Sequence, residues 1–237
     1  VIADSTSGDG QDRLARARAL HTKAVAEGRF GHAATAIRTL RRALDVLLRV
    51  PADDVDSRVL AAEVWLSLAV NEAEVHGAER GLAALNEAER LVELSGDLSL
   101  RARLHNNHAL IATRAGDLQT ASEQFDLAEA LLDHATPHDR TYTLLNSGNV
   151  RLYRGELAEA ERLFTRSAAV ARGEGIADGE FRALHNLGYV EFLAGRLPTA
   201  LASMDAADAL DVDVSRGIWA LDRARILIEA GLTREAD

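Results

Sequence analysis

The pattern G-x-[LF]-x-x-A returns along the chain. A short pattern that recurs at a near-constant step constrains a fold more than any single motif, because every copy must make the same local structure. It stands as "GRFGHA" from Gly28, "GDLQTA" from Gly116, "GELAEA" from Gly155 and "GRLPTA" from Gly195, and "GLTREA" from Gly231 keeps the Gly and the Ala. From Gly116 onward the steps are 39, 40 and 36 residues. A weaker copy, "HGAERG", puts His76 in the Gly place and Gly81 in the Ala place. Each unit reads as helix A, Gly turn, helix B and a polar connector, which gives five helix pairs and the start of a sixth.

Gly suits the end of helix A because a left-handed residue closes the helix there at little cost, and small residues follow where two helices approach. Four and seven places after the turn's Ala stand Ile37 and Leu40, Phe125 and Ala128, Phe164 and Ser167, and Met204 and Ala207. That spacing is one face of helix B. The connectors "RVPADDVDS", "SGDLS", "HATPHDR" and "RGEGIADGE" carry the breakers. Aromatics are 4% of the chain and Pro numbers 3, while Ala and Leu dominate, a balance that favours helix over sheet. The expected class is all-α. One such pair cannot bury its apolar face alone, so neighbours must stack into a right-handed helical-repeat solenoid of antiparallel pairs, about 39–40 residues each. Residues 11–237 are assigned to it, with 1–10 as a flexible lead and the last helix pair cut short.

Absences narrow the chemistry. Without Cys there is no disulfide, thiolate metal site or Cys nucleophile. No apolar run reaches the roughly 20 residues a bilayer requires, and "VIADSTSGDGQD" is unlike a signal peptide. A cytoplasmic protein is expected, and the Val start and the "AGLTREAD" end read as a piece of something longer. The net charge is -10, although residues 11–49 carry a local +6 from nine Arg or Lys against three acids. An acidic chain repels phosphate backbones, so neither nucleic acid nor membrane is the expected ligand.

The pattern resembles the tetratricopeptide repeat, W-x2-L-G-x2-Y followed by A-x3-F. In "LHNLGYVEFLAGRLPTALASMDAADAL", Leu184 holds the Trp place, Leu187 and Gly188 the L-G pair, and Ala200, Met204 and Ala207 the helix B places. Trp65, Leu68 and Ala69 fall at the Trp, Leu and Gly places of the second unit. Departures are the longer unit and the Tyr place, which holds Glu191, Arg151 or Ala112. More narrowly, "LHNLGYVEFLAGRLPTAL" with "LDRARILIEAGLTREAD" is similar to the repeat region that precedes the caspase-like CHAT domain of actinobacterial proteins. The Ala- and Arg-rich composition, with Lys23 the only lysine, fits such a source. That resemblance implies a peptidase domain beyond Asp237 and places none of its catalytic residues on this chain.

One polar position recurs. Nine residues before the turn stand Asn107, Asn146 and Asn186, with Ser67 and Asp222 at the same place in two other units. Four residues earlier are Arg103, Tyr142 and Arg182, and three later Leu110, Asn149, Tyr189 and Arg225, all on the same helical face. The resemblance puts helix A on the concave surface. There Asn offers a donor and an acceptor to an extended peptide, and Arg attracts a carboxylate or acidic peptide. The binding set expected is therefore Arg103, Asn107, Asn146, Asn149, Arg182, Asn186, Tyr189, Asp222 and Arg225. The competing reading is structural: the same Asn bonds the adjacent helix backbone and holds the repeats in register.

Metal and catalysis are not expected. His105 and His108 sit at the packing places of helix A, and His134 and His138 flank Pro137 in a connector, short of the three or four oriented ligands zinc needs. No phosphate-cradling loop, G-x-S-x-G or triad pattern is present, and no cofactor is implied. The expected function is a non-catalytic protein- or peptide-binding module, the regulatory or sensor region of a larger protein. The alternatives are the ligand-sensing repeat domain of a transcriptional regulator and a constitutive assembly scaffold.

Overall fold

The computed structural model describes residues 3–50, 54–212, 217–229 and 231–232. Among them every regular element is helical, and the chain forms two compact units that divide after His134. The first unit holds α1 (Ala3–Arg29), α2 (Ala33–Leu47), α3 (Val55–His76), α4 (Ala78–Ser95), α5 (Leu98–Ala115), α6 (Leu118–Glu129) and a 3₁₀ turn at Leu132–His134. The second holds α7 (Pro137–Tyr153), α8 (Leu157–Gly173), α9 (Ala177–Leu193), α10 (Leu197–Asp208) and α11 (Gly217–Glu229). Odd helices are the A members and even helices the B members of the repeat, so the all-α class of stacked antiparallel pairs is the fold. Helix α1 takes in residues 3–10, which the sequence reading set apart as a lead. The Ala of the last turn copy, Ala236, lies outside the described residues.

Local chemistry sets the ends of these helices. Asp54, Asp97, Asp117 and Thr136 each accept a backbone N–H of the first turn they precede, and Pro137 opens α7 where its missing N–H is not needed. At the A-to-B turn Gly116 lies at φ 79°, and Asp117 N donates to Ala112 O at 3.0 Å, satisfying a carbonyl the helix end would orphan. The same six-residue closure recurs as Glu156 N to Arg151 O and Arg196 N to Glu191 O, both 2.9 Å. In the first pair it is His32 N to Glu27 O, around Gly31 at φ 77°.

That last bond corrects the register of the first repeat. Gly28 is an ordinary helical residue of α1, and the turn glycine is Gly31, three places later. The Ala place is therefore Ala36, and the core places four and seven beyond it are Leu40 and Ala43, all fully buried. In the second repeat, Gly77 at φ 90° takes the turn in place of His76. The sequence pattern misassigned the first turn because "GRFGHA" offers two glycines, and only the conformation tells them apart.

Within each unit A packs on its own B, B on the next A, and A on the next A. Phe125, Phe164 and Met204 occupy the same B-helix place and are 0–1% exposed, each worth roughly 2–3 kcal/mol of burial. Ser167 takes an Ala place in α8 at no exposure by donating its hydroxyl to Thr141 O of α7 at 2.8 Å. Close approach of α9 to α10 needs Gly188: a Cβ there would lie 2.8 Å from both Ala200 O and Met204 Cγ. No described helix is long and apolar enough to cross a membrane.

Candidate functional site

The recurrent polar place lies on the A helices, and in both units it reaches back to the preceding A helix. In the first unit Ser67 Oγ of α3 meets His21 Nε2 of α1 at 2.9 Å. Asn107 of α5 donates its amide to Leu66 O of α3 at 2.9 Å. In the second unit Asn186 Nδ2 of α9 donates to Asn149 Oδ1 of α7 at 2.8 Å, and Asp222 of α11 lies 3.3 Å from His185 Nε2 of α9. A position nine before the turn thus ties consecutive A helices together, by whichever polar group it carries. Asn146 differs: half-buried on α7, its amide makes no hydrogen bond among the described residues.

The flanking positions follow the same cross-helix logic. Arg103 of α5 pairs with Glu63 of α3 at 3.6 Å, and Arg114 one face further on pairs with Glu74 at 3.3 Å. Tyr142 of α7 donates its hydroxyl to Asp178 of α9. Arg182 lies 5.9 Å from the centre of the Trp219 ring, and its Nε is buried without a hydrogen bond among the described residues. Arg225 lies 5.6 Å from the Phe192 ring, which in turn is 6.2 Å from that of Tyr189. Of the nine expected residues, the first unit carries Arg103 and Asn107, and the second carries Asn146, Asn149, Arg182, Asn186, Tyr189, Asp222 and Arg225.

Electrostatics separates these groups by burial. His21 is lowered to about 4, first because burial disfavours its cation and then because Arg103 faces it. His185, 4% exposed, is also lowered by burial, against the opposing pull of the Asp222 carboxylate. His185 packs its ring edge-on to Trp219 at 4.7 Å. Neither His21 nor His185 was singled out in the sequence. Each sits one place or one helix from a ladder residue, but only the fold shows that its ring closes on that residue.

The Ser67–His21 contact invites comparison with a nucleophile and its base. A general base works best with a pKa near the operating pH, and one near 4 accepts a proton weakly at neutrality. Among the described residues no carboxylate bonds the other nitrogen of His21 to orient it. The pair is a buried hydrogen bond between neutral groups. His105 Nδ1 meets Gln124 Oε1 at 2.9 Å, and burial lowers His108. Among the described residues no group of three His, Cys, Asp or Glu is placed to hold a metal.

What remains open to a ligand can be counted atom by atom. The Asn149–Asn186 bond uses one acceptor and one donor, leaving Asn149 Nδ2 to donate and Asn186 Oδ1 to accept, both on half-buried side chains. One free donor beside one free acceptor is the complement of a peptide unit.

No family model matches the chain, and no curated protein matches it in sequence. Solved structures do. A signal transduction ATPase with numerous domains and a tetratricopeptide-repeat sensor, from Pyrococcus horikoshii, is similar at a TM-score of 0.66 and 16% identity. That match covers 93% of this chain and 31% of the ATPase, so this chain spans less than a third of its length. PilW, a type IV pilus biogenesis factor, gives 0.65 at 19% identity over 93% of this chain and 88% of its own. The apo form of RapI gives 0.63 at 16% identity over 99% and 85%. At such identities the likeness shows the fold, and the fold is the helix-pair repeat of tetratricopeptide-repeat proteins.

Proposed function

We propose that this chain is a non-catalytic protein- or peptide-binding module that reads an extended segment along its A helices. The observation that carries the reading is the Asn149–Asn186 pair, with an unused donor and acceptor side by side, next to Asn146, which has no bond of its own among the described residues. A buried polar group that serves only register would have all its bonding capacity met within the fold. Arg182 and Arg225 on the neighbouring A helices favour a segment with a carboxylate, through charge-assisted bonds.

Sensing is the role we favour within that class. Support comes from the ATPase whose described repeat region is a sensor. Further support for a larger protein is the resemblance of Leu184–Leu201 and Leu221–Asp237 to repeat regions that precede CHAT peptidase domains. In that arrangement the bound segment controls an effector, by differential contacts with two states of the repeats. The absence of Cys from the sequence is consistent with a cytoplasmic setting.

The test is capture of partners by the full-length protein, identified by mass spectrometry, followed by calorimetry of the segment found. Asn146→Ala with Asn149→Ala is expected to weaken binding about tenfold or more while the melting temperature holds. Unchanged binding in a folded double variant overturns the A-helix reading. A scaffold would bind with no dependence on any effector ligand, and a regulator would carry a helix-turn-helix domain elsewhere in its chain.

A further inference from the structure

Helix α3 presents a second face to a second groove. Ser67 and Asn71 lie on the ladder side, whereas Trp65, Leu68 and Glu72 project roughly half a turn away, between α2 and α4. Along that side runs a cavity of about 440 Å³ bounded by Leu44, Leu47, Leu48, Trp65 and Leu91. It adjoins one of about 260 Å³ that shares Leu44, Trp65 and Glu87. Leu48 on its rim is 83% exposed.

The corresponding places elsewhere are filled. Leu144 and Leu184 hold the Trp place of the fourth and fifth repeats and are 1% and 8% exposed. His105 holds it in the third, fixed by Gln124 beside a cavity of about 150 Å³. Trp65 alone combines a large, partly exposed aromatic surface with an apolar groove of ligand size, which is roughly 300 Å³ or more.

Charge says what the groove takes. Arg41 is bound to Glu72 at 2.7 Å, and Glu72 is 4% exposed, so neither offers free charge. Glu87 is bound to Arg90 at 2.7 Å. Arg80 borders the smaller cavity and Arg58 the larger, and neither has an ion pair or hydrogen bond among the described residues. The uncompensated charge is positive on both sides of an apolar floor, in a chain whose net charge is -10.

We infer that the groove between α2 and α4 over Trp65 is a second docking surface, which takes a partner protein segment with a bulky apolar side chain flanked by carboxylates. The apolar group sits against Leu44, Leu48 and Trp65, and the carboxylates reach Arg58 and Arg80. Aromatic anchors in apolar pockets with charged rims are where interface energy concentrates. The inference is independent of the A-helix ladder, since it uses the other side of α3.

The experiment is selection of a displayed random-peptide library on the full 237-residue chain. Synthetic winners are then titrated against a Trp219→Phe chain, in which Trp65 is the sole tryptophan reporter. Enriched peptides are expected to carry a large apolar residue with Asp or Glu on either side and to shift Trp65 emission. Leu48→Glu, and Arg58→Glu with Arg80→Glu, are each expected to weaken them about tenfold or more. Asn146→Ala with Asn149→Ala leaves them unaffected, which separates this surface from the ladder. Leu48 and Arg80 are exposed, so Leu48→Glu and Arg80→Glu alone are decisive if Arg58→Glu lowers the melting temperature. The inference is overturned by no enrichment, by winners that lack carboxylates or are basic, or by affinities that these variants do not move.

Discussion

The side-chain amide of Asn107 on α5 donates to the main-chain carbonyl of Leu66 on α3 at 2.9 Å. The bond crosses from one repeat to the one before it and ends on a carbonyl inside a helix. Removing the donor leaves that carbonyl its place in the helix ladder, so Asn107→Ala is expected to cost about 1 kcal/mol, the net worth of one such bond. Asn146→Ala removes no bond among the described residues and is expected to stay within about 0.5 kcal/mol. Urea midpoints at constant slope compare the two variants, and equal losses would contradict the division between register and ligand roles.

How far the sequence carried is clearest at these positions. The ladder was legible because Asn107, Asn146 and Asn186 share an offset from turn glycines that are themselves unmistakable in the later repeats. What each rung bonds to was not legible, since partner choice depends on crossing geometry between helices some 37–46 residues apart. Ser67 meets a histidine ring, Asn107 a main-chain carbonyl and Asn186 another amide. The Trp65 groove was hidden for a similar reason. A Trp at its consensus place reads as core, and only the separation of α2 from α4 leaves its ring partly exposed.

His21 gives the chain an acid-sensitive joint between α1 and α3. Its folded pKa is about 4 against an ordinary 6.5, so between those values the unfolded chain binds a proton that the folded chain does not. Stability from this group is fully present above pH 6.5 and is lost as pH falls toward 4, by about 2–3 kcal/mol once partial exposure is allowed for. His21→Asn, which cannot titrate, is expected to flatten the decline of the urea midpoint between about pH 7 and pH 4.5. An equal slope in both proteins would assign the acid sensitivity to other groups.

The two glycines of "GRFGHA" are expected to respond in opposite directions. At Gly31, φ 77° strains any L side chain, and Gly31→Ala should destabilise by about 1 kcal/mol. Gly28 is inside α1, where Ala is the better helix former by up to about 1 kcal/mol. The nearest atom to a Cβ there is Asn71 Oδ1 at 3.1 Å, on a side chain that can yield. Thermal melts of the two variants test the corrected register, and the opposite order would restore Gly28 as the turn.

Gly188 lets α9 and α10 approach, and the two atoms that would obstruct a side chain there differ in kind. A Cβ would lie 2.8 Å from Met204 Cγ, which is flexible, and 2.8 Å from Ala200 O, which is main chain. At Gly148, by contrast, the close atoms all belong to the Phe164 ring, the nearest at 2.6 Å. Gly188→Ala is expected to cost about 1–3 kcal/mol, as overpacking does. Met204→Ala alone leaves a cavity and costs about 2–5 kcal/mol. The double variant should fall short of the sum, because the shortened side chain at position 204 makes room for part of the new methyl, yet it should remain less stable than the parent because the carbonyl clash persists. Full additivity in denaturation would show that Ala200 O alone sets the helix separation. Full recovery by Met204→Ala would show that the side chain does.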